Sequence, residues 1–408
     1  MKRLLILLLV IYTNQLIGQD LDQYLVLAAE NNPGLKAKFN DYLASLEQIP
    51  QSKALPDPEV MFGYFVQPVE TRLGPQRLSI GIKQSFPWFG SKKAIADVMA
   101  QRAEANLVGF ENEKYLLYKK VRVTYDNIYF LQKSVHIMED NLELLASFKE
   151  LALVSFESGK TGFVNVLRVE MEEKEMQTRL EFLRDQEYVS FVEFQNLLND
   201  QIDPIVFPDS LELKDLPYSV DALNDSIIEN NIRLKELDAY AEAEDLQIRA
   251  IELDSRPSFS IGASYINIGE RTDVDVPDNG RDAFLFPQIG FSLPIFKKNY
   301  QAMKKQSIIK KEGILLRKED FSNKLESEME TYVRSYNDAS RRYQLYQNLK
   351  MIAERSLALI QTEFITGKTD FEEVLRMERK LLNYQLELEK ALVDNNDTVH
   401  NINYLLGL

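Results

Sequence analysis

Two stretches that nearly copy each other set the terms for this chain. Residues 156–168 read FESGKTGFVNVLR and residues 364–376 read FITGKTDFEEVLR, identical at 8 of 13 positions with an offset of 208. Each follows a very long helical pattern and precedes another, which makes each the turn of a helical hairpin. Glycine after an apolar-periodic run is a helix stop signal, and Thr161 or Thr369 is placed to cap the next helix. A repeat spaced by half the chain means duplication, so one structural unit is expected twice.

The first copy, 19–200, opens with a helical pattern from Leu21 to about Leu55, interrupted by Asn-Asn-Pro-Gly at 31–34 and ended by Pro56-Asp57-Pro58. Alternation of Val60, Phe62, Tyr64 and Val66, then of Leu78, Ile80 and Ile82, predicts a β-hairpin over 60–84, with its turn in the Pro-, Arg- and Gly-rich stretch 68–77. No proline interrupts 91–157, a run of 67 residues, or roughly 100 Å of helix. Along it, positions 110, 114, 117, 121, 124, 128, 131, 135, 138, 142 and 145 step by alternating 4 and 3, and all but Lys114 and Thr124 are apolar. That is a coiled-coil seam. After the tip, 163–199 is helical again.

A Pro- and Asp-rich stretch, 201–219, joins this copy to the second, 220–408. Glu229-Asn230-Asn231 repeats Glu30-Asn31-Asn32 at an offset of 199. A helix over 220–253, a hairpin over 259–293 with an acidic loop at 267–283, a long helix over 297–366 and a last helix over 371–405 follow in the same order. Ser292-Leu293-Pro294-Ile295-Phe296 echoes Ser85-Phe86-Pro87-Trp88-Phe89.

Residues 1–18 read as a secretory signal peptide: Lys2 and Arg3, an apolar run from Leu4 to Tyr12, then small and polar residues to Gly18. The run falls well short of the ~20 residues needed to span a bilayer. Without Lys2 and Arg3 the formal charge moves from −15 to −17, which disfavours nucleic acid. There is no cysteine, so no disulfide framework or thiolate metal site is available. The two histidines, His136 and His400, lie far apart inside helical patterns and read as packing or surface residues. No catalytic constellation, metal spacing or cofactor motif is present, and an enzyme is not expected.

Four alternating strands cannot close a barrel, and open sheet edges are excluded from lipid. If the apolar faces meet a membrane, closure requires two, three or four chains, giving 8, 12 or 16 strands. The alternative is a pair of soluble hairpins packing on each other above a coiled-coil scaffold.

With the exported N-terminus, the twofold order of hairpin and long helix, the Pro-Trp-Phe-Gly-Ser-Lys-Lys junction at 87–93 and the duplicated Gly-Lys-Thr tips, the chain resembles the TolC-like outer membrane efflux protein family. The likeness runs from Leu21 to Leu408. It implies a mainly α chain with a small β part: long antiparallel helices forming an α-barrel tunnel in the periplasm, and four strands per chain in a homotrimeric, 12-stranded outer-membrane β-barrel. It implies a passive duct for efflux or secretion, partnered by a periplasmic adaptor and an inner-membrane pump. The competing reading is a periplasmic adaptor or scaffolding coiled coil without a barrel.

Family members close the periplasmic end with acidic rings. By position after the tip glycine, the resemblance places gate or tunnel lining at Asp370, Glu372, Glu373 and Arg376 on the second tip and at Asn165 and Arg168 on the first. Asn165 and Arg376 stand where acids are expected, so the ring is not purely acidic. Gly159, Lys160, Thr161, Gly367, Lys368 and Thr369 are the expected adaptor-docking tips.

Overall fold

A computed structural model of the chain describes residues 21–201 and 210–408. The signal peptide expected at 1–18 and residues 202–209 of the joining segment lie outside them. In order, the elements are α1 (Leu21–Asn31), α2 (Pro33–Leu46), α3 (Gln48–Lys53), β1 (Glu59–Thr71), β2 (Gly74–Phe86), α4 (Ser91–Glu157), α5 (Val164–Leu198), α6 (Val220–Asn230), α7 (Ile232–Asp254), β3 (Ser258–Ile268), β4 (Ala283–Ser292), α8 (Lys297–Ile365) and α9 (Phe371–Leu406).

Two compact units divide the chain, and they cut across the two sequence copies. One is built from described residues of Met1–Lys38, Phe110–Ile232 and Ser322–Leu408; the other comprises Phe39–Gly109 and Arg233–Phe321. Each unit therefore draws on both copies, and the long helices α4 and α8 contribute to both.

In the first unit, the seam expected on α4 is the buried stripe: Leu117, Val121, Ile128, Leu131, Val135, Met138 and Leu145 are all buried. Thr124, the polar exception, is buried with them. The stripe packs in two clusters. One joins α1, α4 and α5 through Tyr24, Tyr125 and Phe194, with the Tyr24 and Phe194 rings edge to face at 5.3 Å. The other joins α4, α5, α8 and α9 through Met138, Phe148, Val169, Leu357, Phe371 and Leu375.

The repeated Asn-Asn pairs have a shared task. Asn32 Nδ2 donates to the carbonyl of Leu197 at 3.1 Å, and Asn231 Nδ2 donates to that of Leu405 at 3.0 Å. Each amide fills an orphan carbonyl at the end of a helix. The helix expected to run unbroken over 220–253 accordingly breaks at Asn231, between α6 and α7, as the first copy breaks at Asn32. A residue whose side chain must reach another helix's end leaves the helical path there. Both recipient helices end in a left-handed residue, Asn199 (φ 50°) and Gly407 (φ 71°).

The joining segment is tied to this unit by Lys214. Its N–H donates to Asn395 Oδ1 at 3.1 Å and Asn396 Oδ1 at 3.2 Å, and its ammonium lies 3.0 Å from His400 Nε2. That ring faces Asp126 Oδ2 at 3.1 Å. Burial holds the His400 imidazole below its usual range and pushes Asp397 up to about 7, with the nearby Asp126 adding to the shift. His400 is thus a buried polar packing residue, whereas His136 is exposed.

In the second unit, α4 and α7 pack through small residues, with Ala94, Val98 and Ala250 at the contact. Helices α7 and α8 run antiparallel along a ladder of ion pairs: Lys304–Glu252, Lys311–Asp245 and Lys318–Asp238. The lysines and the acids each recur every seven residues, so the pairs stay in register along one seam.

The four strands form one antiparallel sheet in the order β1-β2-β3-β4. The first hairpin turn is tighter than the sequence suggests: strand pairing continues to Thr71↔Gly74, and the irregularity at Pro68 is absorbed as a bulge between Tyr64 and Val69. Proline lacks the donor a ladder needs, so it falls where pairing lapses. Gly74, at φ 128°, permits the tight return.

Register sorts the faces. Phe62, Ile80, Tyr265 and Phe284 stand in one cross-strand row, and Phe86, Phe259 and Phe291 in another, all on the same face. The opposite face is smaller and more polar: Gly81 stands against Ser264 and Ser85 against Ser260, which in turn faces Gly290, with Met61, Ile266 and Leu285 among them. On the apolar face, Phe62 is 75% and Phe291 74% exposed, so no described part of the chain covers them. Strands β1 and β4 have no partner on their outer edges among the described residues.

Candidate functional site

The helix tips belong to the first unit and are built alike. At the first, Gly159 (φ 72°) donates to the carbonyl of Phe156 and Lys160 to that of Ser155, both at 2.9 Å. At the second, Gly367 (φ 73°) donates to Phe364 and Lys368 to Glu363, again both at 2.9 Å. This double closure with a left-handed glycine is a Schellman cap. It explains why Gly recurs at both places: any Cβ would be strained there. An aromatic clasp recurs too, Phe156 with Phe163 at 5.3 Å and Phe364 with Phe371 at 5.0 Å. The copies differ in setting, since the second clasp lies in the core while the first is exposed.

Capping departs from expectation. Thr161 and Thr369 do not cap the helices that follow; α9 is capped by Asp370, whose Oδ1 accepts the Phe371 N–H at 2.8 Å. Asp370 holds the extended N-cap position directly before the helix, and the threonine stands one residue too early. The first-tip counterpart of Asp370 is Gly162, without a side chain, and α5 starts with no side-chain cap. The Thr161 hydroxyl is buried without a hydrogen-bond partner among the described residues. Between the tips lies an open cleft of about 570 Å³, lined by Ser155, Lys160, Thr161 and residues 364–370.

Just past the tips, α5 and α9 meet through a charged network. Arg168 Nη1 lies 3.2 Å from Glu372 Oε2. Arg379 bridges Glu372 and Glu172, at 3.3 Å from each, and Arg376 pairs with Glu373 one turn back. Asn165 is buried and accepts from Arg168 Nη1 at 3.4 Å, so it supports that arginine from within the helix pair. Of the six positions expected to line a gate, the structure gathers Asn165, Arg168 and Glu372 in one linked group. It pairs Glu373 with Arg376 and uses Asp370 as a cap.

Three members were not singled out from sequence: Glu172, Glu378 and Arg379. Glu378 is fully buried, and neither carboxylate oxygen has a hydrogen-bond partner among the described residues. Burial pushes its pKa up to about 7, the facing Glu172 adds to the rise, and Arg379 opposes it. Burial likewise raises Glu172, against the pull of Arg379. A signal existed: Glu378 sits in the stripe formed by Phe371, Val374, Leu375, Leu381 and Leu382, at a position where an apolar residue belongs.

No protein-family model and no curated protein matches the sequence. Solved structures do. CusC, described in terms of folding and transmembrane channel formation, superposes with a TM-score of 0.76 at 16% identity, covering 96% of this chain and 92% of that one. The Vibrio cholerae outer membrane protein VceC gives 0.75 at 14%, covering 95% and 96%. The chain has the outer membrane channel fold. The open state of the Neisseria gonorrhoeae outer membrane channel MtrE agrees, with a TM-score of 0.74 at 14% identity over 95% of this chain and 88% of that one. Because the channel fold spans nearly the whole length of both partners, sheet and helices alike are accounted for by it. Among the described residues no helix is long and apolar enough to cross a membrane.

Proposed function

We propose that this protein is one protomer of an outer membrane duct, a non-enzymatic channel through which a periplasmic adaptor and an inner-membrane pump discharge substrates. The observation that carries the reading is the sheet: an exposed apolar face, a face richer in Ser and Gly behind it, and a strand at each edge with no partner among the described residues. Such a sheet cannot stand alone in lipid, where every backbone polar group needs a partner. Joining β4 of one copy to β1 of the next removes both edges, and three copies supply 12 strands. The apolar face then meets lipid and the Ser/Gly face lines the pore.

At the tips, the charged network is read as the periplasmic constriction, with Arg168, Glu372, Glu373 and Arg376 toward the lumen and Asn165 holding Arg168 in place. The paired Schellman turns, Gly159-Lys160-Thr161 and Gly367-Lys368-Thr369, are read as six similar docking points around the trimer. Purified protein reconstituted into planar bilayers tests the reading: discrete, passive conductance steps are expected. Bilayers that stay silent with protein demonstrably inserted would count against a duct.

A further inference from the structure

The two strand-to-helix junctions share a feature that the pore itself does not use. Pro87-Trp88-Phe89-Gly90-Ser91-Lys92-Lys93 leads into α4, and Pro294-Ile295-Phe296-Lys297-Lys298 leads into α8. In both, an aromatic residue is followed within four positions by a pair of lysines. The junctions lie at one end of the sheet: Pro87, Trp88 and Ser91 line a single cleft with Ser258, Pro294 and Tyr300.

Phe89 sits on the apolar face. The Phe89 ring packs on Phe259 at 5.5 Å, and Phe259 in turn stacks on Phe86 at 5.4 Å. Phe89 and Phe296 are 74% and 80% exposed. Lys93, Lys297 and Lys298 are exposed and Lys92 half-buried. None of the four makes an ion pair among the described residues, unlike Lys304, Lys311 and Lys318 farther along α8.

Charge separates the two ends of the sheet. The loop at the other end, 269–282, carries Glu270, Asp273, Asp275, Asp278 and Asp282 against Arg271 and Arg281, and the adjoining first turn adds Glu70, Arg72 and Arg77, which leaves that end net acidic. The junction end also carries Asp57, Glu59 and Asp254 with Lys83 and Arg256, so the four lysines leave it net basic in a chain of net charge −15. An aromatic ring at the edge of an apolar band marks the water–lipid boundary. Lysine beside it keeps its stem in the apolar layer and its ammonium at headgroup depth.

We propose that Lys92, Lys93, Lys297 and Lys298 form a basic collar that binds phosphate headgroups of the phospholipid leaflet bordering the helical end of the barrel, favouring anionic phospholipid. This rests on the duct reading, since it needs the sheet to stand in a bilayer. A cationic residue near an anionic leaflet gains roughly fivefold in affinity, so four per protomer discriminate between neutral and anionic lipid. The acidic loop end would be repelled by the same surface, which orients the chain.

Two measurements on the full-length protein separate the collar from the reading beneath it. Flotation with phosphatidylcholine vesicles asks only whether the protein enters a bilayer. Native mass spectrometry after extraction from mixed phosphatidylcholine and phosphatidylglycerol vesicles asks which lipid it retains. Wild type is expected to float and to enrich phosphatidylglycerol about tenfold or more. The variant K92Q/K93Q/K297Q/K298Q is expected to float and retain both lipids alike, while the arginine version of the same four sites keeps the preference. A variant that enriches phosphatidylglycerol as well as wild type does would overturn the collar and leave the duct standing. Wild type that floats with no vesicle would overturn the duct, and the collar with it.

Discussion

The side-chain amide of Asn231 donates to the main-chain carbonyl of Leu405 at 3.0 Å, inside the protein and 174 residues away in sequence. One side chain thereby closes the end of α9 and fixes the break between α6 and α7. Asn231→Ala leaves that carbonyl buried and unpaired, at a cost of about 1–3 kcal/mol. Asn32→Ala, at the less buried counterpart, should also destabilise, since Asn32 Oδ1 in addition accepts the Leu35 N–H at 3.1 Å. Urea unfolding of both variants checks this; equal midpoints with wild type would mean the bonds contribute nothing.

Glu378 gives a pH dependence with a definite sign. Its carboxyl holds a proton to about 7 when folded, against an ordinary value of 4.5. Between those values the folded chain binds more protons than the unfolded one, so this group lowers stability as pH rises from 4.5 to 7, by at most about 3 kcal/mol. Glu378→Gln should therefore raise the melting temperature at pH 8 and leave it nearly unchanged at pH 4. A uniform shift at both pH values would show that only packing changed.

The ladder between α7 and α8 is exposed, and each pair contributes on the order of 0.2–1 kcal/mol. Lys311→Glu places a like charge against Asp245 and should destabilise; adding Asp245→Lys should restore most of the loss. The rescue should weaken at high salt. A double-mutant cycle in low and high salt measures this, and no coupling in low salt would remove the ladder from the account.

At the proposed constriction, Glu373 and Arg376 neutralise each other. Removing one uncovers the other, so Glu373→Ala should lower cation preference and Arg376→Ala should raise it. Reversal potentials under a salt gradient report both. Two variants with wild-type selectivity would take the pair out of the conduction path.

Gly367 has open space where a Cβ would stand, so the strain from Gly367→Val comes from its left-handed backbone alone, about 1–2 kcal/mol. Assembly should survive while export through the adaptor falls. Full export by an intact, assembled variant would argue that the tips are turns and nothing more.

The long-range order of this fold is legible because it rests on periodicity. The seam from Phe110 to Leu145 steps as a coiled coil must, and α4 occupies the proline-free run Ser91–Glu157. The tips are legible because a left-handed position selects glycine. What escapes is what depends on a third dimension. Asn231 reads as helix until Leu405 is known to lie beside it. Thr369 looks like a cap until Asp370 takes the position. Glu378 looks like a solvated acid unless its place in an apolar stripe is counted, and Glu172 across the helix pair has no signature at all.

The most direct test of the central claim is the detergent-corrected molar mass of the full-length protein extracted from outer membrane. Three protomers per particle, released only with detergent, is the result this account predicts. A monomer or dimer that leaves the membrane fraction without detergent would contradict it, because the open edges of β1 and β4 would then have no partner in lipid.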